Sequence, residues 1–75
     1  MTIKIIIKRD LSEELEQPTL MKIASLYVDD VLDSTYQFSD KTSFREAENI
    51  IIKYCKKSIG INPLDQSSYE CEYRK

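Results

Sequence analysis

The spacing of the isoleucines near the start of this 75-residue chain is the strongest constraint on its fold. Ile3, Ile5 and Ile7 stand at every second position of residues 2–9, and Lys4 and Lys8 stand between and beside them. Period-two alternation of β-branched residues is typical of a strand with one buried face. The sequence therefore predicts a strand over residues 2–9, followed by an acidic connector over residues 10–17.

Residues 20–38 fit two structures. Their apolar residues fall at helical spacing, which allows an amphipathic helix. A hairpin that turns at Asp29 and Asp30 explains the pattern better, because a single turn position sorts both arms into an apolar face and a more polar face. The apolar face of that hairpin would contain Met21, Ile23, Tyr27, Leu32, Tyr36 and Phe38. We expect the hairpin.

A helix is predicted next. Ser43 and Glu46 match the capping box, in which each side chain satisfies the backbone N–H of the other residue. The helix should end near Ser58, with Gly60 as the left-handed residue after it. Its predicted core-facing residues are Phe44, Ala47, Ile51, Tyr54 and Cys55.

A last strand is predicted over residues 67–74, where Tyr69, Cys71 and Tyr73 alternate with glutamates. The predicted order is therefore β-β-β-α-β in one small domain spanning residues 1–75. This is an α+β fold, in which one helix packs on one face of a mostly antiparallel sheet of about four strands.

Composition excludes several kinds of site. The chain has no histidine, one glycine and two cysteines. Histidine-dependent catalysis and glycine-rich phosphate loops are therefore excluded, and two cysteines without histidine are too few for a structural zinc site. We expect a non-catalytic chain with no cofactor and no metal, in which Cys55 and Cys71 are reduced core residues.

Charge is distributed in blocks. Residues 10–40 hold eight acids and one lysine, whereas residues 41–64 hold five bases and two acids, within a net charge of −2. Such blocks also occur as ordinary solvated surface, but a polarised surface attracts a partner of opposite charge. The candidate contact residues for a basic protein surface are Glu13, Glu14, Glu16, Asp29, Asp30 and Asp33. The alternative candidates, for nucleic acid, are Arg45, Lys53, Lys56 and Lys57.

The cellular location of the chain is predicted from the short length of its apolar runs. The longest unbroken aliphatic runs, residues 5–7 and 50–52, are far shorter than the roughly 20 residues that span a bilayer. The first residues also lack the apolar region of a secretory signal. We therefore expect a cytoplasmic protein with no membrane partner.

With its hairpin, its closing strand and the capped helix start at Ser43, Glu46 and Ala47, the chain resembles small phage-encoded inhibitors of bacterial defence, of which the anti-CRISPR proteins are the best known. Those proteins share neither one fold nor common functional residues, so the resemblance assigns no site. It implies a stoichiometric inhibitor or adaptor in the host cytoplasm that occludes a nuclease or another nucleic-acid-binding surface. The alternative function is a small nucleic-acid-binding regulator. An exposed sheet edge would also favour a homodimer.

Overall fold

The computed structural model describes residues 1–12, 17, 19–66 and 68–74. Its strands are β1 (Thr2–Ser12), β2 (Thr19–Val28), β3 (Val31–Ser39) and β4 (Ser68–Arg74), and its main helix is α1 (Phe44–Tyr54). The sheet has the order β3-β2-β1-β4, and β1 pairs antiparallel with β2 and parallel with β4. The predicted element order, the α+β class and the mostly antiparallel sheet are confirmed.

Strand β1 supplies the centre of the core. The side chains of Ile3, Ile5 and Ile7 are fully buried, as the alternation predicts. The strand continues three residues past the predicted end, because residues 10–12 pair with residues 19–21 of β2 instead of starting the connector. Residues 13–16 of the predicted connector lie outside the described residues, as does Ser67, where the sequence predicts the start of the last strand.

The hairpin between β2 and β3 is confirmed, and its turn is where the sequence places it. Asp29 and Asp30 have φ angles of 50° and 66°, the left-handed conformation at both central residues that defines a type I′ turn. Tyr27 pairs with Leu32 as predicted, but a β-bulge follows, and Leu26 pairs with Ser34. Asp33 is thus an extra residue in β3, which shifts the register by one position along the rest of the hairpin.

The bulge makes the predicted apolar face wrong for β2. Because neighbouring residues of a strand point to opposite faces, a shift of one residue exchanges the faces. Ala24 and Leu26 are fully buried under the helix, whereas Met21, Ile23 and Tyr27 lie on the opposite face. In β3 the prediction was correct for Tyr36 and Phe38, which pack against the core, and wrong for Leu32, which is exposed.

The helix begins as predicted, with one difference in the capping box. The hydroxyl of Ser43 accepts a hydrogen bond from the N–H of Glu46 at 3.1 Å, but the Glu46 carboxylate accepts from the Ser43 hydroxyl instead of from its backbone. After Tyr54 the chain continues as a wider π-helical turn, Cys55–Ile59, which ends at Gly60 with a φ of 78°. The left-handed helix end at Gly60 is therefore confirmed.

The core-facing stripe of the helix differs from the prediction at one position on each side. Ala47, Ile51 and Cys55 are fully buried as predicted. Ile52 is also buried, whereas Tyr54 is exposed beside Tyr36. The apolar stripe is therefore rotated toward Ile52. No helix of the described residues is both long and apolar enough to cross a membrane.

Candidate binding surfaces

The turn between β2 and β3 is anchored to the start of β1. The N–H of Asp29 donates to the carbonyl of Thr2, and the N–H of Thr2 donates to the Asp29 carboxylate, both at 2.8 Å. The sequence predicts that Asp29 contacts a partner, and the structure gives its carboxylate an internal hydrogen bond. This pair of bonds holds the turn in one position relative to the sheet.

The four residues after Asp29 form what we call the hairpin tip: Asp30, Val31, Leu32 and Asp33. All four are exposed, and Val31 and Leu32 expose 68% and 53% of their surface. Asp33 accepts a hydrogen bond from the Ser34 hydroxyl at 3.0 Å. The tip therefore presents two aliphatic side chains between two carboxylates, which is an unusual use of apolar surface in so short a segment.

The predicted acidic surface is only partly described. Glu13, Glu14 and Glu16 lie outside the described residues. The strand ends that bracket them, Ser12 and Thr19, lie at the opposite end of β2 from the hairpin tip. At about 3.3 Å per residue, these ends of β2 are about 30 Å apart. The described part of the surface therefore consists of Asp29, Asp30 and Asp33.

Most of the remaining acidic side chains that the structure describes are engaged within the chain. Asp40 binds Arg9 and Lys22, and Glu48 accepts hydrogen bonds from the hydroxyls of Tyr69, at 2.5 Å, and Tyr73. The pairs Lys8–Asp10, Lys4–Glu70 and Arg74–Glu72 account for three further acids. Among the described acids, Asp30 alone has neither a hydrogen bond nor an ion pair.

The basic residues of the helix are arranged in the opposite way. We call the side chains of Arg45, Lys53, Lys56 and Lys57 the basic helix face. They are exposed, and none forms an ion pair or a hydrogen bond within the described part of the chain. Lys53 lies in the last turn of α1, and Lys56 and Lys57 lie in the π-helical turn that continues it. Their charges are therefore available to a ligand.

The three lysines of the basic helix face lie at the same end of the molecule as the hairpin tip, whereas Arg45, in the first turn of α1, lies at the opposite end near Tyr73. Tyr54 contacts Tyr36 with ring centroids 5.3 Å apart, which places the end of the helix over the middle of β3. Asp33 is close enough to Cys55 to contribute to the raised pKa of its thiol, after the larger effect of burial. The carboxylates of the hairpin tip and the lysines of the helix end therefore lie near each other, and the electrostatic potential of each is reduced by the other.

The two cysteines are free thiols, of which Cys55 is buried and Cys71 is half-buried. Burial raises the pKa of Cys55, and burial together with the Glu48 charge raises the pKa of Cys71 to about 12. Since the thiolate is the nucleophilic form, both side chains are neutral near pH 7. No group of three or more cysteine, aspartate or glutamate side chains among the described residues is placed to hold a metal ion.

A shallow depression of about 450 Å³ lies on the sheet face opposite the helix. Lys4, Glu70, Cys71 and Glu72 line it. Lys4 and Glu70 stand 4.0 Å apart across it, and the Glu72 carboxylate pairs with Arg74, so each of its charged groups already has a partner within the chain. Comparison of the chain with protein-family models, with curated proteins and with solved structures found no match.

Sequence reasoning placed Asp29 and Asp30 in the turn, but it assigned Leu32 to the apolar face of the hairpin, and the structure exposes this side chain instead. The position of Leu32 could have revealed its exposure, because it follows a two-residue turn at the edge of the sheet. A bulge beside such a turn removes the neighbouring residues from the core.

Proposed function

We propose that this chain is a non-catalytic protein-binding module that acts as a stoichiometric inhibitor or adaptor, and that the hairpin tip is its contact surface. The observation that supports this proposal is the combination of exposed Val31 and Leu32 with the carboxylates of Asp30 and Asp33. Aliphatic side chains gain free energy by leaving water at a protein interface, and phosphate backbones offer them no such environment. A protein partner therefore fits the tip better than nucleic acid does.

The anchoring of the turn supports the same proposal. Because Asp29 and Thr2 exchange two hydrogen bonds, the tip is ordered before a partner arrives, and less conformational entropy is lost on binding. The acids at its two ends favour a partner whose apolar pocket is bordered by lysine or arginine. A basic channel that normally holds nucleic acid has that chemistry, and an inhibitor that covers it would act without any reaction.

The test compares two charge reversals of equal size. The variant Asp30→Lys/Asp33→Lys changes the tip, and the control Glu70→Lys/Glu72→Lys makes the same change of charge on β4. Each protein is used to capture partners from a lysate of the source organism, with and without nuclease, and the recovered protein is then titrated by calorimetry. We expect a nuclease-resistant protein that binds the wild type and the control alike and binds the tip variant at least tenfold more weakly. Equal affinity for both variants would exclude the tip.

A second function, direct nucleic-acid binding, is favoured by the basic helix face. Its four cations are exposed and unpaired within the described residues, and such cations bind phosphates with release of counterions. The net charge of −2 and the nearby acids of the hairpin tip act against this function. It therefore ranks second.

The two functions are separated by salt and by the lysines. If nucleic acid is the ligand, the logarithm of the affinity for labelled duplex DNA falls linearly with the logarithm of the salt concentration. The variant Lys53→Gln/Lys56→Gln/Lys57→Gln should then reduce that slope by about 0.9 for each phosphate that the variant no longer neutralises. Fluorescence anisotropy of labelled oligonucleotides measures both quantities. Recovery of a partner only in the absence of nuclease would also support this function over the first.

A further inference from the structure

Strand β3 is an edge of the sheet that lacks the usual protection. Within the described part of the chain it has a neighbouring strand on one side only. Its residues 34–39, which we call the uncharged edge, contain no charged residue, no proline and no glycine. Natural edge strands are normally protected against further pairing by charges, proline, a bulge or short length. The uncharged edge lies beyond the bulge at Asp33, so six consecutive residues are left unprotected.

The other edge of the sheet is protected. Strand β4 carries Glu70, Glu72 and Arg74 at successive outward positions, on the face opposite the helix. An antiparallel pair of two β4 strands centred at Cys71 or Glu72 would place two glutamates opposite each other, and like charges directly opposite are destabilising. The two edges of this sheet therefore differ in their capacity to accept another strand, and β3 is the edge that accepts one.

We propose that two copies of this chain form a dimer through antiparallel pairing of their uncharged edges, with the twofold axis at Gln37. In this register Gln37 lies opposite its own copy, Tyr36 lies opposite Phe38, and Thr35 lies opposite Ser39. Facing residues then belong to the same side of the sheet, as strand pairing requires. The two four-stranded sheets become one continuous sheet.

Charge complementarity argues for a second copy as the occupant and for this register. With the axis at Gln37, Asp33 of one copy lies just beyond the end of β3 of the other copy, next to the turn over residues 39–42 that carries Lys41, and this happens twice by symmetry. The side chain of Lys41 is exposed and forms no ion pair among the described residues. An axis one residue earlier, at Tyr36, would place Asp33 opposite Ser39 and leave both charges unpaired.

The aromatic residues of β3 support the same pairing. Tyr36 and Phe38 are stacked with ring centroids 6.4 Å apart and are only partly buried against the core. In the dimer each of these rings lies opposite the other ring type of the second copy, which is a favourable cross-strand pair. The pairing leaves Asp30, Val31 and Leu32 of the hairpin tip outside the interface, so the dimer would present two copies of this exposed segment.

The test is the oligomeric state of the full chain and of charge variants at the axis. Sedimentation equilibrium over a range of protein concentrations should show a reversible dimer for the wild type. Gln37→Lys and Gln37→Glu each place like charges directly opposite each other, so each should raise the dissociation constant about tenfold or more. An equimolar mixture of the two variants should restore the dimer, because the charges across the axis then differ in sign.

A second pair of variants tests the register. Asp33→Lys and Lys41→Glu each create like-charge pairs in their own dimer, whereas their mixture restores two opposite-charge pairs. The control, matched in charge to Gln37→Lys, is Ser68→Lys, which adds a positive charge at the start of β4 and should leave the dimer intact. Circular dichroism establishes that each variant is folded. A wild type that stays monomeric at all concentrations, a dimer indifferent to the Gln37 variants, or one broken by Ser68→Lys would overturn the proposal.

Discussion

The guanidinium of Arg9 holds the carboxylate of Asp40 with two hydrogen bonds, 2.9 Å from Nε to Oδ1 and 3.2 Å from Nη2 to Oδ2. Asp40 also compensates the charge of a buried lysine. Lys22 is 6% exposed, and its ammonium group donates to the carbonyl oxygen of Asp40 at 2.5 Å and lies 5.2 Å from the centre of the Phe44 ring. Asp40 thus binds two cations at the end of the sheet where the helix begins.

The Arg9–Asp40 pair predicts a specific dependence of stability on pH. The hydrogen bond from Arg9 is the main cause that lowers the pKa of Asp40 below its usual value of 3.8. The unfolded chain therefore takes up this proton at a higher pH than the folded chain does. The stabilisation is present above the usual pKa and is lost as the pH falls through the folded one. Asp40→Asn should flatten the loss of stability below about pH 4, measured as the urea midpoint at several pH values. Arg9→Gln should reduce this loss of stability at low pH as well. If stability falls with pH as steeply in these variants as in the wild type, the Arg9–Asp40 pair is not its cause.

Three tyrosines should ionise late on alkaline titration. The hydrogen bond to Glu48 is the main cause that raises the pKa of Tyr73 to about 12, burial raises that of Tyr36 to about 12, and burial with Glu48 raises that of Tyr69. Because the folded values are raised, these groups stabilise the fold below their usual pKa of 10.0, and the effect is lost as the pH rises through the folded values. Tyrosinate absorbance measures the titration.

The variant Glu48→Gln separates the two causes. It should lower the pKa of Tyr73 toward the usual value. Tyr36 is the control in the same protein, because burial is the main cause of its raised pKa and Glu48 is not among the causes. The step of the tyrosinate titration that is missing in Tyr73→Phe belongs to Tyr73, so this variant shows which step Glu48→Gln shifts. If the late ionisation of Tyr73 persists without the Glu48 carboxylate, the hydrogen bond is not its cause.

Two adjacent isoleucines of the helix should differ widely in their contribution to stability. Ile51 is fully buried in the core, and Ile51→Ala should cost about 3 kcal/mol, since the cavity adds to the lost transfer free energy. Ile50 is 49% exposed, and Ile50→Ala should cost about 0.5 kcal/mol or less. Urea unfolding of the two variants measures the difference. Equal costs would mean that the helix packs on the sheet with a different face.

The helix end at Gly60 predicts a cost that arises from the backbone alone. An added Cβ would meet no atom within 4 Å, so Gly60→Ala should lose stability only through its φ of 78°. The expected loss is about 1 kcal/mol, with a smaller loss for Gly60→Asn, because asparagine tolerates this conformation better. Thermal unfolding measures both, with the exposed Ser58→Ala as the control. An alanine variant as stable as the wild type would contradict the left-handed assignment.

The elements with local signals could be predicted from the sequence. The alternation of Ile3, Ile5 and Ile7, the cap at Ser43 and the turn at Asp29 each depend on residues close together in the chain, and the structure has all three. Such signals act through backbone conformation and through the period of one element. They are therefore present in a single sequence without knowledge of what packs against it.

The faces of β2 could not be predicted in the same way. Counting apolar residues favoured Met21, Ile23 and Tyr27 as the buried set, yet the helix covers Ala24 and Leu26. The small side chain of Ala24 fits beneath the helix, and Lys22 on the same face is tolerated because Asp40 compensates its charge. Both causes depend on partners distant in the sequence.

The charges of the candidate surfaces show a similar division. Their sequence positions could be read directly, but which of them are already engaged depends on the fold. Asp29 is bound by Thr2, whereas the lysines of the basic helix face have no partner within the described residues. The exposure of Leu32 became visible only with the bulge, because the predicted register placed this residue on the apolar face.

The parallel pairing of β1 with β4 imposes an order of events during folding. Thr2 pairs with Ser68, and this pairing closes a loop of more than sixty residues, whereas β1, β2 and β3 are joined by much shorter connections. Closing a long loop costs more entropy, so the three-stranded meander should assemble first and β4 should dock late. Until then the isoleucine-rich strand is itself an open edge. We therefore expect little of the β4 packing in the transition state, so that substitutions in β4 accelerate unfolding, measured by stopped-flow kinetics in urea, and leave the refolding rate nearly unchanged.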